Sequence, residues 1–243
     1  MQLKDHFGYN LVDLLSDKIN AVDATFSRNN FKKALSAQFL DYALTGRVAC
    51  ITDALYTVFG NYEHGIGVLL QILGDENPKE TGMFTDYYWV MPIAKYVEVY
   101  GLDNFQLSMQ ALEAITKRNT AEYAVRPFIT RYTDKMLPQM THWAQSDNFH
   151  LRRLSSEGLR PKLPWAKKLD LFTENPTPVF AILELLKDDP IKFVMKSVGN
   201  HLADYLKLNP SPALLLLDRW AADPNATPHR HWIIKHAKRK YKE

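Results

Sequence analysis

The stretch Thr141–Trp165, THWAQSDNFHLRRLSSEGLRPKLPW, decides how the rest of the chain is read. Trp143, Ala144 and Gln145 end one helix, and Ser146, Asp147 and Asn148 supply the polar break and cap chemistry that begin another. The second helix, predicted over 149–158, carries the adjacent arginines Arg152 and Arg153. After it, a loop bounded by Pro161 and Pro164 brings an aromatic out to its tip at Trp165. Helix, tight turn, basic helix and loop tryptophan together suit a surface that grips an anionic polymer.

Outward from this stretch the same pattern recurs. Leu151-Arg152-Arg153 corresponds to Val194-Met195-Lys196 and again to Ile233-Ile234-Lys235, at spacings of 43 and 39 residues. Those spacings are close to the length of a HEAT-like helix pair. Each copy has a cation in third place: Arg153, Lys196 and Lys235. Stacked helix pairs place equivalent positions in a line. The three cations then form either a phosphate track or simply the solvated face of amphipathic helices.

Helical periodicity runs through the whole chain, and signs of strand are weak. Phe7, Leu11, Leu14, Leu15 and Ile19 follow the i, i+4, i+7 rhythm of an amphipathic helix. Further helices are predicted over 31–42, 47–59, 65–73, 87–100, 104–116, 121–131, 135–145, 178–187, 190–207, 211–222 and 228–241. Gly60 and Gly74 are expected to stop helices, and Pro92 to lie in a first turn. Pro190, after two aspartates, reads as the first residue of a helix, and 75–85 reads as a loop. The expected architecture is all-α: one HEAT-like repeat domain over 1–243, an α-solenoid with a concave, basic face.

Composition sets the outer limits. In 243 residues, 46% apolar and 23% charged content is that of an ordinary globular protein with a sizeable core. No apolar run reaches membrane-spanning length, and Met1–Asn10 has no secretory core, so a cytoplasmic protein without a membrane partner is expected. The single cysteine, Cys50, sits among apolar residues and reads as a small buried hydrophobe. Net charge is +3, but the distribution is uneven: 229–242 holds Arg230, Lys235, Lys238, Arg239, Lys240 and Lys242. Such a terminus is either a phosphate-binding element or a solvated tail. His229, His231 and His236 lack metal-site spacing, so no metal and no cofactor are expected.

Three residues stand out as candidates for chemistry. Glu122 is an acid at a predicted helix start, where acids also occur for dipole reasons alone. Asp204 lies two turns beyond Lys196, roughly on the same helical face. Trp165 is either exposed, for contact with sugar or base, or folded back against the neighbouring repeat.

Four blocks together resemble a known family. They are Glu122–Phe128, Leu151–Trp165, Lys187–Asp204 with its SVGNHLAD run, and His231–Ala237. They are similar to the AlkC branch of the AlkC/AlkD DNA glycosylases, HEAT-like repeat proteins that remove alkylated bases, notably 3-methyladenine, from DNA. The most specific block is Arg160-Pro161-Lys162-Leu163-Pro164-Trp165. The resemblance implies that Glu122 and Asp204 are active-site carboxylates and that Trp165 packs against the lesion. It also implies that Arg153 and Arg160 hold the DNA backbone, and Arg152, Lys162, Lys196, Asn200, Lys235 and His236 are further expected DNA-binding residues. The partner would be duplex DNA containing alkylated bases, and the protein a monomer.

Two departures from the family pattern accompany the resemblance. Met195-Lys196 replaces the usual Arg-Arg before Ser197, suggesting a lost phosphate contact. No immunoglobulin-like C-terminal domain is expected, which would make the chain a short form. Whether Asp147 or Glu157 contributes stays open at this level. The alternative expectation is a scaffold that binds DNA or protein without chemistry.

Overall fold

A computed structural model of the chain describes residues 2–81 and 86–241. Residues 82–85 of the expected 75–85 loop, and Lys242 at the basic terminus, lie outside the described residues. Among the described residues there are thirteen α-helices, a few single 3-10 turns and no strand, so the fold class is all-α as expected. They fall into two compact units, one reaching to Ala124 and the other formed mainly from Val125 onward.

In the first unit, α1 (Tyr9–Asn20) buries Leu11, Val12, Leu15 and Ile19. At roughly 1.5–3 kcal/mol for each fully buried side chain, this apolar face is what holds the helix in place. The predicted 31–42 helix is shorter and earlier: α2 (Arg28–Ala34), followed by a separate 3-10 turn at Phe39–Asp41. Ser27 sets that start by accepting a hydrogen bond from the Asn30 amide at 3.2 Å. Next come α3 (Leu44–Phe59), α4 (Tyr62–Gln71), α5 (Met91–Tyr100) and α6 (Phe105–Thr116). Gly60 ends α3 with φ of 76°, a left-handed conformation that glycine adopts without Cβ strain. Pro92 lies in the first turn of α5 as expected. Helices α3 and α5 pack side by side, and α4 packs against both α5 and α6.

The second unit holds α7 (Arg126–Arg131), α8 (Thr133–Ala144), α9 (Phe149–Glu157), α10 (Thr177–Leu186), α11 (Lys192–Leu208), α12 (Pro210–Ala222) and α13 (Pro228–Lys238). Helix α11 packs between α9 and α13, while α10 and α12 pack against this row and α10 also meets α8. The three copies of the sequence repeat are thus the three helices of one layer, the HEAT-like arrangement. Trp143, Leu151, Leu154, Val194, Val198, Leu202 and Ile233 are buried in this unit.

Two further predicted boundaries fail for identifiable reasons. The 121–131 helix begins only at Arg126, because Pro127 suits a first turn, and residues 122–125 form a turn ahead of it. Pro190 does not start α11, which begins at Lys192. The Asp189 carboxylate there accepts the Ile191 amide at 2.9 Å, forming a local turn that delays the helix.

Candidate active site and nucleic-acid interface

Asn148 caps α9 by accepting the His150 amide at 3.0 Å, and this fixes where the helix begins. Glu157 is its last residue, and Arg160 follows after a turn. On α11, Ser197, His201 and Asp204 recur at spacings of four and three, so they share one face. That face meets the end of α9 and builds a buried ionic cluster.

Arg160 stands at its centre. Its Nε donates to Asp204 Oδ2 at 2.8 Å and its Nη1 to Glu157 Oε1 at 2.6 Å. The Ser197 hydroxyl donates to Glu157 Oε2 at 2.6 Å and lies 3.0 Å from Ser156 Oγ. Arg153 approaches Glu157 Oε1 at 3.5 Å and spreads its guanidinium 4.8 Å from the centre of the Phe193 ring.

The two acids answer differently to this setting. Burial works against the charge of Glu157, but Arg153, Arg160 and Ser197 outweigh it and hold its carboxyl below the ordinary value. Burial likewise pushes the Asp204 carboxyl up, and Arg160 offsets this only in part while Glu157 repels. Among the described residues only Arg160 hydrogen-bonds Asp204, and it does so at Oδ2, so Oδ1 is left for another partner. His201, on the same face, is fully buried; burial first, then the neighbouring Arg160, pull its pKa down to about 3, and it stays neutral.

The loop after Arg160 is tied down from beneath. The buried Arg126 guanidinium donates to the carbonyls of Gly158 (3.0 Å), Arg160 (2.8 Å) and Lys167 (2.7 Å). Leu163 and Leu169 are buried, and the Leu169 amide donates to the Pro161 carbonyl at 3.0 Å. From this base Trp165 projects with 82% of its surface exposed, in a left-handed conformation with φ of 63°. A non-glycine residue held there is strained by about 1–2 kcal/mol. Lys162, Lys167 and Lys168 are exposed around it.

A second grouping spans α11 and α13. Gly199 lets the helices approach closely, since a Cβ there would meet His236 Cδ2 at 2.8 Å. His236 Nε2 then lies 3.0 Å from Asn200 Oδ1, which also accepts from Arg239 at 2.8 Å. Trp232 stacks on His236 with ring centres 4.6 Å apart, and Lys192 Nζ sits 3.1 Å from the Trp232 ring centre. The His236 pKa is lowered by burial first, then by Arg239, Lys192 and Lys196. These cations are therefore close enough to act on one imidazole, a concentration of positive charge.

The expected site residues are thus distributed over several places. Arg153, Arg160 and Asp204 come together, and Lys196, Asn200 and His236 share the second grouping. Lys235 is exposed on α13. Glu122 lies in the first unit, buried, and accepts from the Thr120 hydroxyl at 2.9 Å. It stands in the turn before α7 and not in the helix's first turn.

Arg152 braces two turns: it pairs with Asp189 at 2.6 Å and donates to the Ser146 and Asp147 carbonyls, both at 2.9 Å. Met195 is buried and Lys196 beside it is exposed. Sequence reasoning left Glu157 open because its partners, Arg160 and Ser197, are joined to it only by the turn and by packing. Among the described residues no group of His, Cys, Asp or Glu is gathered as a metal site, and no helix is long and apolar enough to cross a membrane.

Residues 93–240 match the family described as DNA alkylation repair enzyme. An uncharacterized protein of Bacillus subtilis, YhaZ, is 36% identical over 239 residues, which is 98% of this chain and 64% of that protein. Among solved structures, the alkylpurine DNA glycosylase AlkC of Pseudomonas fluorescens, bound to DNA containing an abasic site analog, superposes with a TM-score of 0.86 at 31% identity. That match covers 98% of this chain and 64% of the AlkC chain, and it gives the fold as the HEAT-like α-solenoid. The chain therefore spans about two thirds of the length of either relative.

Proposed function

The chain belongs to the family of DNA alkylation repair enzymes, and from that premise we propose that it is a DNA N-glycosylase for cationic alkylated purines of the 3-methyladenine class. Alkylation at N3 puts a positive charge on the base and weakens its bond to the sugar. When the C1′–N bond breaks, its electron pair neutralises the base, so the leaving group needs no general acid. The positive charge moves to the sugar as an oxocarbenium-like species. Water then bonds to C1′ and loses a proton, leaving a neutral free base and an abasic site.

Asp204 suits this work. It is a carboxylate largely withdrawn from water, braced on one oxygen by Arg160 and open on the other. A fixed negative charge of this kind stabilises a developing cation far better than solvent does. Glu122 is proposed as the second carboxylate. Trp165, exposed and rigidly presented, offers its indole face to a cationic base or sugar. Lys192, Lys196, Arg239 and Arg153 supply the positive field that holds duplex DNA.

The observation that carries the reading is the superposition on AlkC over nearly the whole chain. Its test is to incubate the chain with methylated duplex DNA and identify the released bases. Release of 3-methyladenine supports it. Tight DNA binding with no release identifies a non-catalytic scaffold instead.

A further inference from the structure

We infer that Arg160, held in place by Glu157, is a positioning residue for Asp204 and not a contact to DNA phosphate. The inference rests on the glycosylase reading given above. It starts from how the guanidinium is committed. Arg160 is buried, and its Nε and Nη1 point to two different carboxylates at 2.8 and 2.6 Å. A phosphate-binding arginine needs its fork free and solvent-facing.

Glu157 is the anchor of the arrangement. Besides Arg160 it has Ser197 at 2.6 Å and Arg153 at 3.5 Å, so it is fixed from both α11 and α9. Glu157 is bonded on both oxygens and Asp204 on Oδ2 alone, so Asp204 is the more available of the two acids. Two carboxylates therefore share one arginine, with one acid fixing the cation and the other receiving its remaining hand.

Charge follows the same division. The charged groups acting on Asp204 are Arg160, Glu157 and, on its own helix, Lys207. Tyr205 beside it is uncharged and packs against Phe180 of α10 at 5.0 Å between ring centres. His201 stays neutral. His236 on α13 and Arg239 just after it are tied to Asn200, one turn away. On α12, Asp218 and Arg219 are paired with Lys238 and Glu184. Arg160 favours the ionised form of Asp204 and Glu157 disfavours it, so removing each should move the acid in opposite directions.

The experiment measures single-turnover release of base from methylated duplex DNA against pH, with the uncatalysed rate subtracted, for wild type, Glu157→Gln and Arg160→Gln. Loss of Glu157's charge should move the acid limb of the profile to lower pH. Loss of Arg160's charge should move it to higher pH, by about one unit, and lower the limiting rate about ten- to a hundredfold through misplacement of Asp204. Arg160→Lys, which keeps the charge, should restore most of the pH position but not the full rate. Binding of Arg160→Gln to undamaged duplex should keep the wild-type salt slope.

Shifts of the same sign, or no shift, overturn the inference. So does a salt slope reduced by about one in Arg160→Gln, the mark of a lost phosphate contact. Should Arg160→Gln not fold, the direction of the Glu157→Gln shift decides alone. Failure of the near-isosteric Glu157→Gln to fold would make the pair purely structural and would also overturn it. A wild-type chain that releases no base defeats the glycosylase reading itself, and the inference with it, an outcome separable from all the others.

Discussion

The Arg126 guanidinium donates to the Lys167 carbonyl at 2.7 Å across 41 residues of sequence, closing the loop that carries Trp165. The same side chain also binds the carbonyls of Gly158 and Arg160, so one buried cation fixes both ends of the loop. Trp165 takes its strained, exposed conformation between these two bonded ends.

Arg126→Met should therefore loosen the loop. Three carbonyls lose a charged donor, at roughly 1.5–3 kcal/mol for each such bond before relaxation, and a net loss of about 2–4 kcal/mol in unfolding free energy is expected. Urea denaturation measures it. Trypsin should then cut at Lys162, Lys167 or Lys168 in the native variant well before it cuts the wild type. Unchanged stability and unchanged proteolysis would show that the loop does not depend on this clamp.

Trp165→Ala removes a side chain that is 82% exposed, so the melting temperature should change little. Excision should fall about tenfold or more, in line with the loss of one or two kcal/mol of cation–π attraction, while affinity for undamaged duplex stays within a few-fold. Equal losses in binding and excision would make Trp165 a general DNA contact.

The cations around His236 predict a salt effect. Affinity for duplex DNA should fall steeply and log-linearly with salt. Lys196→Ala and Arg239→Ala should each flatten that slope by about one, on any DNA sequence. Arg152→Ala should leave the slope alone, because Arg152 is occupied by Asp189 and two carbonyls. Salt-insensitive binding contradicts the proposed interface.

His201 predicts how stability responds to acid. Its folded-state pKa is about 3, against an ordinary 6.5 for the free side chain, so the unfolded chain binds this proton more readily. Its contribution is complete above the unfolded value and is lost as pH falls from 6.5 toward 3. The loss is at most about 1.4 kcal/mol for each unit traversed. A His201→Phe variant that folds should show a shallower decline over that range. An identical decline would assign the acid sensitivity to other groups.

Much of the fold could be read from the sequence, because periodic apolar residues mark helices and the spacing of Arg153, Lys196 and Lys235 marks the repeat. The packing of α9, α11 and α13 in one layer follows that spacing. What could not be read was the direction of each charge. Arg152 and Arg153 are neighbours, yet about 100° of helical rotation sends one to Asp189 and the other toward Glu157. The bond from Arg160 to Asp204 joins residues 44 apart, which no local spacing marks. Nothing local marks position 195 as buried, yet Met195 is. Helix starts failed where a side chain reshaped a turn, as Asp189 does ahead of α11.

The most direct measurement is the amount of free alkylated base released from methylated duplex DNA by the wild-type chain and by Asp204→Asn and Glu122→Gln, each checked for folding and DNA binding. The account predicts release of 3-methyladenine by the wild type. It predicts a fall of about a hundred- to a thousandfold in each variant, as for removal of one preorganised charge-stabilising group, with duplex affinity nearly intact. Wild-type rates in both variants, or no release by a folded wild-type chain that binds DNA, would contradict it.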